Sequence, residues 1–221
     1  MINILLSYYY FHENWAQDTL KNYIDKNDKV VIVPFSFDED KISNTSEWKS
    51  VYNKESVDYR EVVEPFLEYE IDENNIIWLN YYEDTDEEIR RKFESSNIVF
   101  FTGGFTDKAI ERVVEKGLLN YINKCRVVIG ASAGALMQLV NYFIVPNEDV
   151  SELMYFKGLG LINTDFYIVV HYEDTEIHNN CIKIALKEQT DTIYAIGDRG
   201  GIVIDGENLL TFGDVTIFKN E

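Results

Sequence analysis

Short runs of apolar, mostly β-branched residues recur along the chain, and between them lie longer stretches whose apolar positions return every three or four residues. The first pattern fits buried strands and the second fits one face of a helix. Strands are therefore expected over residues 2–6, 29–34, 76–79, 98–101, 126–129, 166–170 and 193–196. Helices are expected near 15–25, 58–69, 87–95, 107–123, 133–141 and 176–188. Strands alternating with helices of this length predict an α/β fold with a mostly parallel sheet covered on both faces. Val30-Val31-Ile32-Val33 and Val127-Val128-Ile129 are unbroken rather than alternating, as strands buried on both faces should be. The tail has a closer rhythm. Residues 201–204, 208–211 and 215–218, joined by Asp205-Gly206-Glu207 and Gly213-Asp214, predict a C-terminal antiparallel meander. Residues 35–57 are polar and weakly periodic and read as a long insertion or lid.

The length of 221 residues and the absence of a linker-like stretch fit one domain over 1–221. Apolar residues make up 46% of the chain, enough to exclude wholesale disorder. Acidic residues number 39 against 20 basic ones, a formal net charge of −19. Such a surface repels phosphate backbones and anionic lipid, which argues against nucleic-acid and membrane partners. No apolar run reaches the roughly 18 residues of a spanning helix. The start of the chain lacks a basic segment and a small-residue cleavage site, so the expectation is a cytoplasmic protein. Cys125 and Cys181 make neither a disulfide framework nor a metal spacing.

The segment richest in chemistry is Val127-Val128-Ile129-Gly130-Ala131-Ser132-Ala133-Gly134-Ala135-Leu136. A buried strand enters Gly-x-Ser-x-Gly and a helix-forming stretch leaves it, the context that a nucleophile elbow requires. Ser132 would sit on a tight, strained turn with its hydroxyl above the carboxyl edge of the sheet. Gly130 and Gly134 would let the backbone bend and the helix pack close, and the Ala133 amide would be the first oxyanion donor. A second donor is expected from Thr102-Gly103-Gly104-Phe105-Thr106, where glycine lets an amide approach a substrate oxygen. Gly104 is the favoured donor there, with Phe105 beside it, and Gly103 and Phe105 read as substrate-facing. A serine needs a base. Of His12, His171 and His178, His171 follows a strand directly and so lies where open α/β sheets place their sites, with His178 second. The orienting acid stays open among Glu148, Asp149, Glu173 and Asp174. No metal or organic cofactor is needed for this chemistry. The Tyr8-Tyr9-Tyr10-Phe11 run reads first as core packing, with the cleft wall or a homodimer contact as alternatives.

These residues resemble the peptidase E family of α-aspartyl dipeptidases and cyanophycinases. The resemblance rests on Gly130-Ala131-Ser132-Ala133-Gly134-Ala135, on the Gly103-Gly104 loop, on Gly158-Leu159-Gly160-Leu161-Ile162 before a strand and His171, and on the closing run from Ala195 to Gly206. It implies a class I glutamine amidotransferase-like, flavodoxin-type three-layer sandwich. It also implies a serine peptidase acting on small peptides, with Ser132 as nucleophile and His171 as base. By the dipeptidase pattern the acid would be Asp149; by the spacing of the amidotransferase relatives it would be Glu173. The sequence departs from the family at the loop, where Gly-Gly-Gly-Asn-Thr is replaced by Thr102-Gly103-Gly104-Phe105-Thr106. It departs again where the dipeptidase carries an aspartyl-binding arginine and this chain offers Glu176, which puts aspartyl specificity in doubt. Lys157 and Arg199 are the cations considered in its place. Three rivals share parts of the pattern. An esterase of the α/β-hydrolase type would need more than the 39 positions between Ser132 and His171 for its usual cap. A glutaminase would want cysteine at the elbow. A binding or regulatory protein on the same fold would lack turnover altogether.

Overall fold

The computed structural model describes residues 1–146, 151–163 and 165–220. The parallel centre of its main sheet consists of β1 (Ile2–Leu6), β2 (Val30–Val33), β3 (Ile76–Trp78), β4 (Ile98–Phe101) and β5 (Val127–Ala131), in the spatial order β1-β5-β4-β2-β3. Because side chains alternate across a strand, each unbroken apolar run feeds two cores. Val30, Ile32, Ile98 and Phe100 pack on one face beneath α1 (Asn14–Leu20) and α3 (Val57–Glu68). Val31, Val33, Val99 and Phe101 pack on the other beneath α4 (Asp86–Glu94), α5 (Thr106–Glu115) and α6 (Leu119–Ile122). Each of these side chains is almost wholly buried, worth about 1.5–3 kcal/mol apiece relative to exposure.

The expected C-terminal meander is one long hairpin. β9 (Thr192–Asp205) absorbs two of the expected strands, and β10 (Asn208–Lys219) absorbs the other two across a register shift between Gly213 and Val215. β9 also closes the sheet. Its second half runs antiparallel to β1, from Ile2 opposite Asp205 to Leu6 opposite Gly201. Its first half runs parallel to β8 (Tyr167–Val169), ending at Val169 opposite Ala195. With β10 along the opposite edge, β1 and β8 share one edge of β9 and approach from opposite directions. Their carboxyl ends meet across residues 196–200. His171 therefore reaches the site by a strand opposed to β1, not by one parallel to it as the sequence pattern suggested.

Three expected helices are shorter than their periodicity, and the one near 15–25 ends at Leu20. The stretch 107–123 divides into α5 and α6 at Gly117, whose φ of 64° breaks the helical path. The stretch 133–141 yields a single turn, α7 (Ala133–Leu136). Its continuation is replaced by tertiary bonds: the carbonyls of Met137, Gln138, Leu139 and Val140 accept the amides of Leu159, Ile162, Gly160 and Gly158. Gln138, fully buried, receives a bond from Asn3 (2.9 Å) and donates to the Gly134 carbonyl. The chain then forms a separate hairpin, β6 (Asn141–Ile144) with β7 (Met154–Lys157), before β8 and α8 (Glu176–Glu188).

Residues 35–57 carry α2 (Thr45–Val51), capped by Asn44, and are packed down. Phe37, Ile42 and Trp48 make a small core against Trp78 and Tyr82. The segment is tied to α5 by Arg112, whose side chain is 4% exposed. Its guanidinium donates to the carbonyls of Phe35 (2.6 Å) and Phe37 (2.8 Å), meets Glu39 at 3.0 Å, and stacks 3.6 Å above the Phe37 ring. No helix among the described residues is long and apolar enough to cross a membrane.

Two outcomes follow from this packing. Arg112→Leu leaves buried carbonyls without donors, so it should lower unfolding stability by about 2–4 kcal/mol and expose residues 35–57 to limited proteolysis, read by urea melts and protease mapping. The second outcome concerns alkali. Burial pushes the Tyr9 hydroxyl up to about 12 and raises those of Tyr69 and Tyr142 further. These phenols stay protonated in the folded chain but ionise near 10 in the unfolded one. Their contribution is complete below about pH 10 and is lost as pH rises through 12. Urea midpoints measured from pH 8 upward should hold level and then fall beyond pH 10.

Candidate active site

The elbow begins where β5 must turn. Ser132 has φ 53° and ψ −116°, outside the ordinary regions for a residue with a side chain. Its amide donates to the Leu6 carbonyl at 2.9 Å, which fixes the turn to the end of β1. The turn needs close backbone approach. A Cβ on Gly130 would collide with the Gly134 carbonyl, and a Cβ on Gly134 would collide with the Phe101 carbonyl at the end of β4. These glycines therefore seat α7 directly on the sheet.

His171 also has positive φ, 52°. Its amide donates to Ser7 Oγ at 3.0 Å, and Ser7 Oγ donates to the Ile196 carbonyl at 2.7 Å. The Tyr172 amide donates to that same carbonyl at 2.9 Å. The buried Ser7 thus joins the ends of β1, β8 and the first half of β9. In this setting His171 Nε2 lies 2.9 Å from Ser132 Oγ. His171 Nδ1 lies 2.8 Å from Asp198 Oδ1. A carboxylate can only accept, so Nδ1 carries the proton and Nε2 is left to accept from the serine hydroxyl. The imidazole and the Tyr8 ring meet edge to face, with 6.0 Å between centroids.

The loop after β4 faces the same point. Gly103 packs on the elbow, since a Cβ there would lie 3.2 Å from Ser132 Cβ. Its amide is engaged, donating to Tyr9 Oη at 2.8 Å. The Phe105 amide is engaged too, donating to the Ser36 carbonyl at 2.8 Å. Gly104, at φ 135°, lies against Ser36, and its amide has no protein partner among the described residues. The Ala133 amide is likewise without one. Ser36 braces the loop a second time: its hydroxyl bonds the Gly103 carbonyl and lies 2.8 Å from Thr102 Oγ1. A cavity of ≈ 310 Å³ opens between Gly104, Ala133, Ser132 and His171.

The sequence candidates distribute unevenly over this site. Ser132 and His171 are brought together, and Gly104 and Ala133 flank them. Phe105 is a correction as a donor, because its amide is spent on Ser36; its ring is exposed. Glu173 is a correction as the orienting acid. It lies beyond the turn at His171, where its carbonyl is 2.8 Å from His178 Nδ1, and Asp198 holds the place at His171 Nδ1. Asp174 bonds Asn179 instead, at 2.6 Å. Glu148 and Asp149 lie outside the described residues. His178 is on α8 and lines the same cavity. The aromatic run splits: Phe11 is core, Tyr9 braces the loop and Tyr8 faces His171. Arg199 is paired to Glu13 at 2.6 Å, and Lys157 bonds Asn141 at 2.7 Å, so neither faces the cavity. Sequence reasoning missed Asp198, Ser7 and Ser36, and had Tyr9 only within a run read first as core packing. The available signal for Asp198 was the polar step Gly197-Asp198-Arg199 breaking an apolar strand.

Comparison with known proteins agrees with this fold. The chain is similar in structure to a candidate peptidase E protein from Listeria monocytogenes EGD-e, with a TM-score of 0.63 and 19% identity over 95% of this chain and 96% of that one. It is also similar to a peptidase from an acI-B1 Actinobacterium, with a TM-score of 0.65 and 14% identity over 99% and 89% of the two chains. No functionally curated protein matches it. The family model for Peptidase family S51 matches residues 12–212. On this match the chain belongs to peptidase family S51, a family of peptide-bond hydrolases.

Proposed function

We propose that this serine peptidase cleaves small peptides through an acyl-enzyme, with Ser132 as nucleophile, His171 as base and then acid, and Asp198 as the carboxylate that orients the imidazole. The unbroken line Ser132 Oγ to His171 Nε2 (2.9 Å) and His171 Nδ1 to Asp198 Oδ1 (2.8 Å) carries the reading. Ser132 Oγ attacks the scissile carbonyl as His171 Nε2 takes its proton. The negative charge gathers on the carbonyl oxygen, where the free amides of Gly104 and Ala133 can meet it; each such donor is worth roughly 3 kcal/mol in the transition state. His171 then passes the proton to the leaving amine, and water, activated by the same imidazole, releases the acyl group. Asp198 is 59% exposed, so its role is to fix the tautomer and stabilise the imidazolium rather than to supply a buried charge.

A fluorophosphonate probe should label the wild-type chain on Ser132. Ser132→Ala should abolish labelling and lower peptide turnover by about 10⁴-fold or more. Asp198→Asn should lower kcat by about 10²–10⁴-fold while Glu173→Gln leaves it near wild type. If Asp149→Asn collapses kcat and Asp198→Asn does not, the acid is misassigned; an unlabelled wild type would sink the whole mechanism. At the oxyanion loop, Gly104→Ala forces a Cβ into the Ser36 carbonyl at a backbone angle hostile to it. It should cost about 10²–10³-fold in kcat with little change in KM, measured by steady-state kinetics.

A further inference from the structure

The cavity beside Ser132 has a chemistry of its own. Its walls are Leu136 of α7, Phe143, Ile144 and Val145 at the end of β6, and Val169 and Val170 at the end of β8. Among the described residues, no lysine or arginine lines it. The residues that follow Pro146 in the sequence, Asn147, Glu148, Asp149 and Val150, are none of them basic. The cations that could be recruited are committed elsewhere: Arg199 to Glu13, Lys157 to Asn141, and Arg112 to the carbonyls of residues 35 and 37. The polar groups in the wall are Thr106, the imidazole of His178, whose Nδ1 lies 2.8 Å from the Glu173 carbonyl, and the reacting pair itself.

From this we infer that the cavity is the specificity pocket for the residue whose carbonyl is attacked, and that it takes an uncharged, apolar side chain of leucine or methionine size. The inference rests on Ser132 being the nucleophile. With the carbonyl oxygen between the Gly104 and Ala133 amides, the side chain next to that carbonyl has this apolar recess in front of it. A volume of ≈ 310 Å³ is at the low end for ligand sites, roughly 300–1,000 Å³, and suits one side chain rather than a long peptide. An aspartyl or glutamyl side chain would be stripped of water there with no cation to receive it, within a chain of net charge −19. A lysyl side chain would likewise have to bury its charge against valines and leucine.

The test uses one leaving group and varies the acyl residue: leucyl, methionyl, alanyl, aspartyl and lysyl p-nitroanilides at neutral pH, alongside fluorophosphonate labelling. Leucyl and methionyl substrates should exceed the alanyl one in kcat/KM by about tenfold or more, with aspartyl and lysyl lowest. Ile144→Arg puts a cation into the wall, and it should raise the aspartyl-to-leucyl ratio by about tenfold or more while Ser132 still labels. Val145→Arg repeats the test at a second wall position should the first variant fold poorly. An aspartyl substrate turned over as fast as leucyl by the wild type overturns the pocket while leaving the nucleophile intact, provided labelling persists. So does a ratio that neither variant moves. Absence of labelling and of all turnover in the wild type overturns the nucleophile and the pocket together.

Discussion

One hydroxyl holds the site together. Ser7 Oγ, fully buried, accepts the amide of His171 and donates to the carbonyl of Ile196. It sits where β1 and β8 run toward each other along a shared edge of β9, so neither strand can extend the other's ladder and the gap must be closed by a side chain. A buried polar gap left open costs about 1–3 kcal/mol per unsatisfied group. Closing it with a serine places β8 in fixed register with β1. β1 in turn receives the Ser132 amide at Leu6. The 2.9 Å separation of serine and histidine is the sum of these two anchorages.

Around that joint the backbone is strained and braced. Ser132 and His171 both hold positive φ, a conformation costing of order 1–3 kcal/mol for such residues. Surrounding contacts over-determine both. Gly134 presses on the Phe101 carbonyl, and Gln138 closes the end of the single-turn helix α7. The glycine loop after β4 is held from two sides, by Tyr9 at the Gly103 amide and by Ser36 at the Phe105 amide, while the Gly104 amide between them has no partner among the described residues. Arg112 extends the brace outward, since the segment that carries Ser36 is hung from its guanidinium. Residues 35–57 are in this sense a support for the site rather than a loose cover.

The distribution of charge follows the same division. The acidic excess is spread over helix faces and turns. The recess beside Ser132 is walled mainly by apolar side chains, and Arg199 is already paired to Glu13. Asp198 and the helix-facing Glu173 show how little sequence proximity says about which acid matters. The one two residues from the base points its carbonyl at His178, while the one 27 residues away touches the ring.

Much was legible along the chain. The unbroken runs at Val30 and Val127 announced strands buried on both faces, and Gly130 to Gly134 announced the elbow, because close packing and a strained turn leave only glycine and small residues workable. Local chemistry of that kind is written in adjacent positions. The helices over 107–123 and 133–141 came out shorter because Gly117 and the loop 158–162 took over backbone bonds that periodicity had assigned to helix. Sequence alone thus determined the parallel core, the setting of Ser132 and the neighbourhood of His171. Only the tertiary structure decided the direction in which β8 enters, the carboxylate that meets His171, and the amides left free. Each of these depends on pairing with β9 or Ser36, partners dozens of residues away whose bonds exist only once the sheet has closed.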